Sequence, residues 1–148
     1  MPDRYAGLVS RLAALAVDVA VLTVAVLAIG ALPPAATEAV LGSSPDWLAR
    51  ACAIAGAVLP WLYFTLCWWL TGETVGGLLL GIRVRRRDGA RVSPVRAGLR
   101  AFLGLTFAPL WLVGLLAILV DGRRRALHDL VFATVVRYAD RPRAARER

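Results

Sequence analysis

The sequence predicts an all-α integral membrane protein: two transmembrane helices, a Pro-broken or re-entrant third hydrophobic element, and a short cytoplasmic basic β-hairpin. Three observations predict it. The chain of 148 residues is 59% hydrophobic, with a mean hydropathy of +0.65, against roughly 45–50% apolar content in soluble domains. A soluble chain this small has too little interior to hide that much apolar surface. Three apolar stretches, about 9–32, 48–70 and 97–120, each reach the roughly 20 residues that cross a bilayer as helix. The arginines are also distributed by side, as set out below. The length fits a single membrane domain, 1–148.

The first stretch is longer than a secretory signal core and is interrupted by Asp18, so it is expected to be retained as a helix. Asp18 follows Arg11 by seven residues, two helical turns, which puts both charges on one face. Extended, that face reads Gly7, Arg11, Ala14, Asp18, Val21, Ala25 and Ala28. Apart from its two charges it is small, as a face that meets another helix must be. The second stretch offers matching small pairs, Cys52–Gly56 and Ala53–Ala57. An unpaired aspartate at that depth costs at least about 2.5–3.5 kcal/mol. Asp18 must therefore pair, protonate or line a wet cavity, and Arg100, Arg125 and His128 are candidate partners. Two roles stay open for it: an ionisable functional centre, or a hydrogen-bond acceptor that staples helices together.

The linker 33–47 contains Pro33, Pro34, Glu38 and Asp46 and no basic residue. The linker 71–96 carries Arg83, Arg85, Arg86, Arg87, Arg91 and Arg96, and eight more arginines follow Val120. The positive-inside rule puts the first linker outside and the second, with the N-terminus, in the cytoplasm. A straight third span would then place the eight distal arginines outside. Pro109, at the centre of LTFAPLWLVG, favours a broken or re-entrant element that keeps the C-terminus cytoplasmic, in preference to a simple kinked span. Trp47 and the pair Trp68–Trp69 are spaced to sit in the two interfacial belts, while Trp61 beside Pro60 is expected to pack.

Within 82–93, GIRVRRRDGARVS alternates apolar and basic residues around Asp88–Gly89, a strong hairpin signal. Ile82 and Val84 would share one face and Arg83, Arg85 and Arg87 the other, with Arg86 opposite Arg91. Such a like-charge pair disfavours itself unless an anion intervenes. A lipid-contacting set (Arg83, Arg85, Arg86, Arg87, Arg91) and a plain solvated loop stand equal. VFATVVRY, 131–138, is a second strand-like run able to pair with this hairpin. The tail 139–148 reads as disordered.

Little points to an enzyme. His128 and Asp129 are adjacent and lack a companion nucleophile, so no catalytic residue is expected. Cys52 and Cys67 are about 22 Å apart on one helix and cannot bridge. No metal set and no cofactor motif occurs. A net charge of +8 on a membrane chain reports topology and anionic headgroups rather than nucleic acid.

Three blocks in order resemble the RDD family of small bacterial membrane proteins: YAGLVSRLAALAVD, TGETVGGLLLGIRVRRRDGARVS and DGRRRALHDLVFATVV. By that resemblance the name-giving arginine and first aspartate fall on Arg11 and Asp18. The second aspartate falls on Asp129, or on Asp121, within a polar cluster that also includes Arg125 and His128. Gly77 departs from the pattern, standing where the family usually has a basic residue that Arg83 to Arg87 would have to replace. The resemblance implies a transport-type role in the plasma membrane, with sodium–proton exchange linked to some members. The expected protein is therefore an oligomeric transporter with Asp18 as its ionisable centre. The alternative is a non-transporting accessory subunit that binds a larger membrane complex or anionic lipid.

Overall fold

A computed structural model describes residues 6–86, 88–109, 113 and 134–138. Its elements run α1 (Leu8–Leu41), α2 (Asp46–Leu70), α3 (Val75–Leu80), β1 (Ile82–Arg86), α4 (Pro94–Thr106) and β2 (Thr134–Tyr138). Helices α1 and α2 are both long and apolar enough to cross a membrane. Most of their apolar side chains face outward, among them Val24, Leu27, Ile54 and Leu62.

Helix α1 has 34 residues, about 51 Å at the helical rise, and runs straight through Pro33 and Pro34. The expected linker 33–47 is therefore mostly helix, and only Gly42–Pro45 connects α1 to α2. The local chemistry explains this. The Thr37 hydroxyl lies 2.9 Å from the Pro33 carbonyl and 2.8 Å from that of Pro34, and so engages the backbone just beyond the interruption. The helix stops where Gly42 turns left-handed, its N–H donating to Glu38 O.

The buried face of α1 is Arg11, Ala14, Asp18 and Leu22. The two charges lie on one inward face as the spacing predicts, but Leu22 rather than Val21 continues it. Val21 is exposed, because strict seven-residue spacing drifts around a helix of 3.6 residues per turn. On α2, Cys52 and Gly56 are buried while Ala53 and Ala57 are exposed, so only the first small pair packs inward. A Cβ on Gly56 would lie 3.3 Å from a Val26 methyl of α1. The tryptophan pair divides: Trp69 faces outward, whereas Trp68 turns inward, its ring 5.2 Å from Phe64. Trp61 packs on α4, and its indole N–H donates to Gly98 O at 3.0 Å.

Residues 71–81, which the sequence presents as part of a cytoplasmic linker, instead fold back against α1. The helix α3 lies so close that a Cβ on Gly76 would stand 2.0 Å from Ala14 O. The chain then enters β1, with Ile82 and Val84 buried and Arg83 and Arg85 half-buried, as the alternation predicts.

The hairpin is realised only as its turn. Gly89 is left-handed and donates to Arg86 O, and the Asp88 carboxylate accepts from Ala90 N–H. Beyond the turn no strand forms, because Val92 is buried and Ser93 and Pro94 start α4. The ladder partner of β1 is β2, antiparallel, with Val84 opposite Val136 and Arg83 opposite Arg137. The expected Arg86–Arg91 pair does not form; Arg86 reaches Asp88 at 2.9 Å and Arg91 is exposed. Two further backbone bonds widen the sheet. Ala6 N–H donates to Val136 O on one edge, and Val84 N–H donates to Gly72 O on the other. The sheet thus ties the entry of α1 to the exit of α2.

Helix α4 has large apolar residues outside and one of its two arginines inside. Val95, Leu99 and Phe102 are exposed, whereas Ala97, Arg100 and Ala101 are buried. It ends at Thr106, three residues ahead of Pro109. The remainder of the third hydrophobic element, including the choice between spanning and re-entering, lies outside the described residues, as does the tail 139–148.

A candidate polar site on the first helix

Arg11, Asp18 and Arg100 line one cavity of about 100 Å³, together with Thr74, Gly72 and Gly77. All three charged residues are buried, Asp18 being 3% exposed. The cavity has room for a few waters at about 30 Å³ each. Its walls come from α1, α2, the 72–77 segment, the sheet and α4.

The Asp18 carboxylate is held by three donors. Oδ1 accepts from the Tyr63 hydroxyl at 2.7 Å and from Gly76 N–H at 2.8 Å, and Oδ2 accepts from the Thr74 hydroxyl at 2.6 Å. The donors are themselves positioned. Tyr63 Oη accepts from Val75 N–H, and Thr74 Oγ1, the cap of α3, accepts from Gly77 N–H. Thr74 and Gly76 bond this carboxylate directly and Val75 bonds it through Tyr63, so it organises the fold-back.

The cations surround the same space. Arg11 Nε donates to Ala6 O at 3.3 Å. Arg100 donates to the Thr134 hydroxyl at 2.7 Å and lies 4.9 Å from the centre of the Trp68 ring, within cation–π range. Sequence reasoning proposed Arg100 as a direct partner of Asp18. Instead the two share the cavity, and the carboxylate is met by hydroxyls and a peptide N–H. Tyr63 and Thr74 were visible as rare hydroxyls near the second span, but no local signal tied them to Asp18. The Gly76 amide carried no signal at all.

At Gly77 a Cβ would meet Ile82 O at 3.0 Å and Thr74 Oγ1 at 3.2 Å. The positive charge of the cavity comes from Arg11 and Arg100 rather than from Arg83 to Arg86. Arg83 is engaged by Glu73 across the mouth of the fold-back, and that carboxylate raises its guanidinium pKa further. Arg85 and Arg86 are half-buried, and Arg91 is exposed. Arg87, Asp121, Arg125, His128 and Asp129 lie outside the described residues. Among the described residues no cluster of metal-ligating side chains occurs.

A stretch of 73 residues is 37% identical to the "Uncharacterized protein YckC" of Bacillus subtilis (strain 168), covering 46% of this chain and 48% of the relative. The chain thus spans about half the length of that curated relative. No solved structure matches. The model of the RDD family matches residues 5–133, a range that contains Arg11, Asp18, the fold-back and α4, and the chain belongs to the RDD family.

Proposed function

We propose that this protein acts in ion or proton exchange across the plasma membrane, with Asp18 as the ionisable centre and N- and C-termini in the cytoplasm. The observation that supports it is a buried carboxylate, on a helix apolar enough to span, opening onto a cavity of about 100 Å³. A proton arriving on Oδ2 turns an acceptor into a donor facing the Thr74 hydroxyl. That hydroxyl must then rotate to accept, and its O–H bond, unbroken, turns toward the cavity. The reverse exchange of donor and acceptor between Thr74 and Oδ2 lets the proton leave. Two spans enclose little of a path, and the working unit in this reading is an oligomer.

The test is cation-driven proton flux in vesicles carrying the full chain, wild type beside Asp18→Asn. Asparagine keeps the volume and still accepts from Tyr63 and Gly76, so the variant is expected to stay folded and lose at least about 90% of the flux. A folded wild type without flux would leave the second reading, an accessory subunit of a larger membrane complex. The observation that favours that reading is the saturation of Asp18 by three donors, which suits a structural staple.

We also propose that the basic edge contacts anionic headgroups, Arg91 and Arg96 being exposed beside the outward apolar residues of α4. Replacing Arg85, Arg86, Arg87 and Arg91 with glutamine should cut retention on phosphatidylglycerol nanodiscs relative to phosphatidylcholine ones. Equal retention of variant and wild type would remove the lipid role.

A further inference from the structure

The fold-back has the construction of a movable wall. Its helix, α3, is six residues long with the sequence VGGLLL, too short to hold itself and weakened by two adjacent glycines. Both ends turn on left-handed glycines, Gly72 at φ +80 and Gly81 at φ +64. Gly72 is packed tightly, since a Cβ there would meet Val84 O at 2.8 Å, whereas Gly81 has open space around it. On the outer side Leu78 and Leu79 are 65% and 69% exposed, so the protein does not clamp the segment from behind.

On the inner side Leu80 packs against the core cluster, and the rest of the segment meets α1 through Gly76 against the Ala14 carbonyl and through one carboxylate. Thr74 and Gly76 bond Asp18 directly, and Val75 bonds it through Tyr63. The same segment lines the cavity with Gly72, Thr74 and Gly77. Elements held by few apolar contacts and a small number of polar ones are those that open locally.

We propose that Gly72–Gly81 is the gate of the cavity, latched while Asp18 is ionised and released when that charge is neutralised; this rests on the reading of Asp18 as the ionisable centre. Neutralisation reverses the Thr74 bond and reduces the Tyr63 and Gly76 bonds from charge-assisted to neutral strength. The segment then swings about Gly81 while Gly72 stays pinned to β1. Among the described residues, the other charged or titratable groups around the latch are Arg11 on α1, Tyr63 and Cys67 on α2, Arg100 on α4 and, at the pinned end of the segment itself, Glu73, which is paired with Arg83 of β1. The arginines keep their charge throughout, so Asp18 is the group that switches.

The test places a thiol behind the gate. Ala14 is buried and lines the cavity, so Ala14→Cys in full-length protein carrying Cys52→Ala and Cys67→Ala reports access. Labelling by a hydrophilic methanethiosulfonate is measured in vesicles with Asp18 intact, with Asp18→Asn and with Thr74→Val. Labelling is expected to be at least about tenfold faster in Asp18→Asn and severalfold faster in Thr74→Val. The milder Thr74→Val carries the test if Asp18→Asn does not fold. Equal rates in the folded variants overturn the gate. Flux lost in Asp18→Asn with unchanged labelling would sink the gate and leave exchange standing. Faster labelling with no flux from the wild type would support the gate and remove the exchange reading.

Discussion

Asp18→Ala is expected to destabilise the folded protein in detergent by about 3–5 kcal/mol, measured by thermal or denaturant unfolding. The substitution removes one acceptor set and strands three donors, the buried Thr74 hydroxyl and Gly76 N–H and the half-buried Tyr63 hydroxyl. Each stranded buried donor costs about 1–3 kcal/mol, and removing one side of a buried charged network lies in the same range. Asp18→Asn should cost much less, because its side-chain oxygen still serves Tyr63 and Gly76. The contrast between the two variants separates the staple from the titratable group. A drop under about 1 kcal/mol for alanine would mean that the fold-back is held by something other than this carboxylate.

Gly76→Ala is expected to be about as damaging, although it adds a single methyl group. That methyl would stand 2.0 Å from Ala14 O and 2.7 Å from its carbonyl carbon, whereas carbon–oxygen contacts sit near 3.3 Å or beyond. Both sides are backbone, so no rotamer relieves the clash. The α3 helix must retreat by about 1 Å, which breaks the bonds from Gly76 and Thr74 to Asp18. The cost should reach about 3 kcal/mol, the strain of overpacking joined to the lost bonds. The same exchange at Gly30, where nothing lies within 4 Å, serves as the control, expected to be neutral or to stabilise by about 0.5–1 kcal/mol. Equal behaviour at the two sites would show that α3 does not need bare glycine to approach α1.

The charged centre was legible in the sequence because an intramembrane aspartate two turns after an arginine stands out against an apolar background. The inward face of α1, the Asp88–Gly89 turn, the alternation of β1 and the pairing of β1 with the run at 131–138 were legible for similar reasons of period and turn chemistry. The partners of Asp18 were not. They come from positions 45 to 58 residues further along: Tyr63 within α2, and Thr74 and Gly76 on a glycine-rich segment that shows no helical period and reads as linker. Its helix exists because Thr74 caps it and Asp18 holds it, which are tertiary facts. The tandem prolines misled in the other direction: they mark a break by local rules, yet α1 continues beyond them. The hairpin misled because the alternation and the Asp88–Gly89 turn both promise a second arm, whereas Val92 and Ser93 are claimed by the core and by α4.

The small sheet has a consequence for how the protein is made. Ala6 donates to Val136, and Ser10 shares a hydrogen bond with Tyr138, 128 residues away. Helices α1 and α2 can enter the membrane before β2 is made, and the wall formed by β2, with Thr134 meeting Arg100, waits for a segment 34 residues beyond that arginine. Contacts so distant in sequence close slowly. Until they do, Arg100 and the inner face of β1 lack the strand that covers them. The interval between insertion and closure is therefore the stage at which a membrane protease or chaperone can tell an unfinished copy from a finished one.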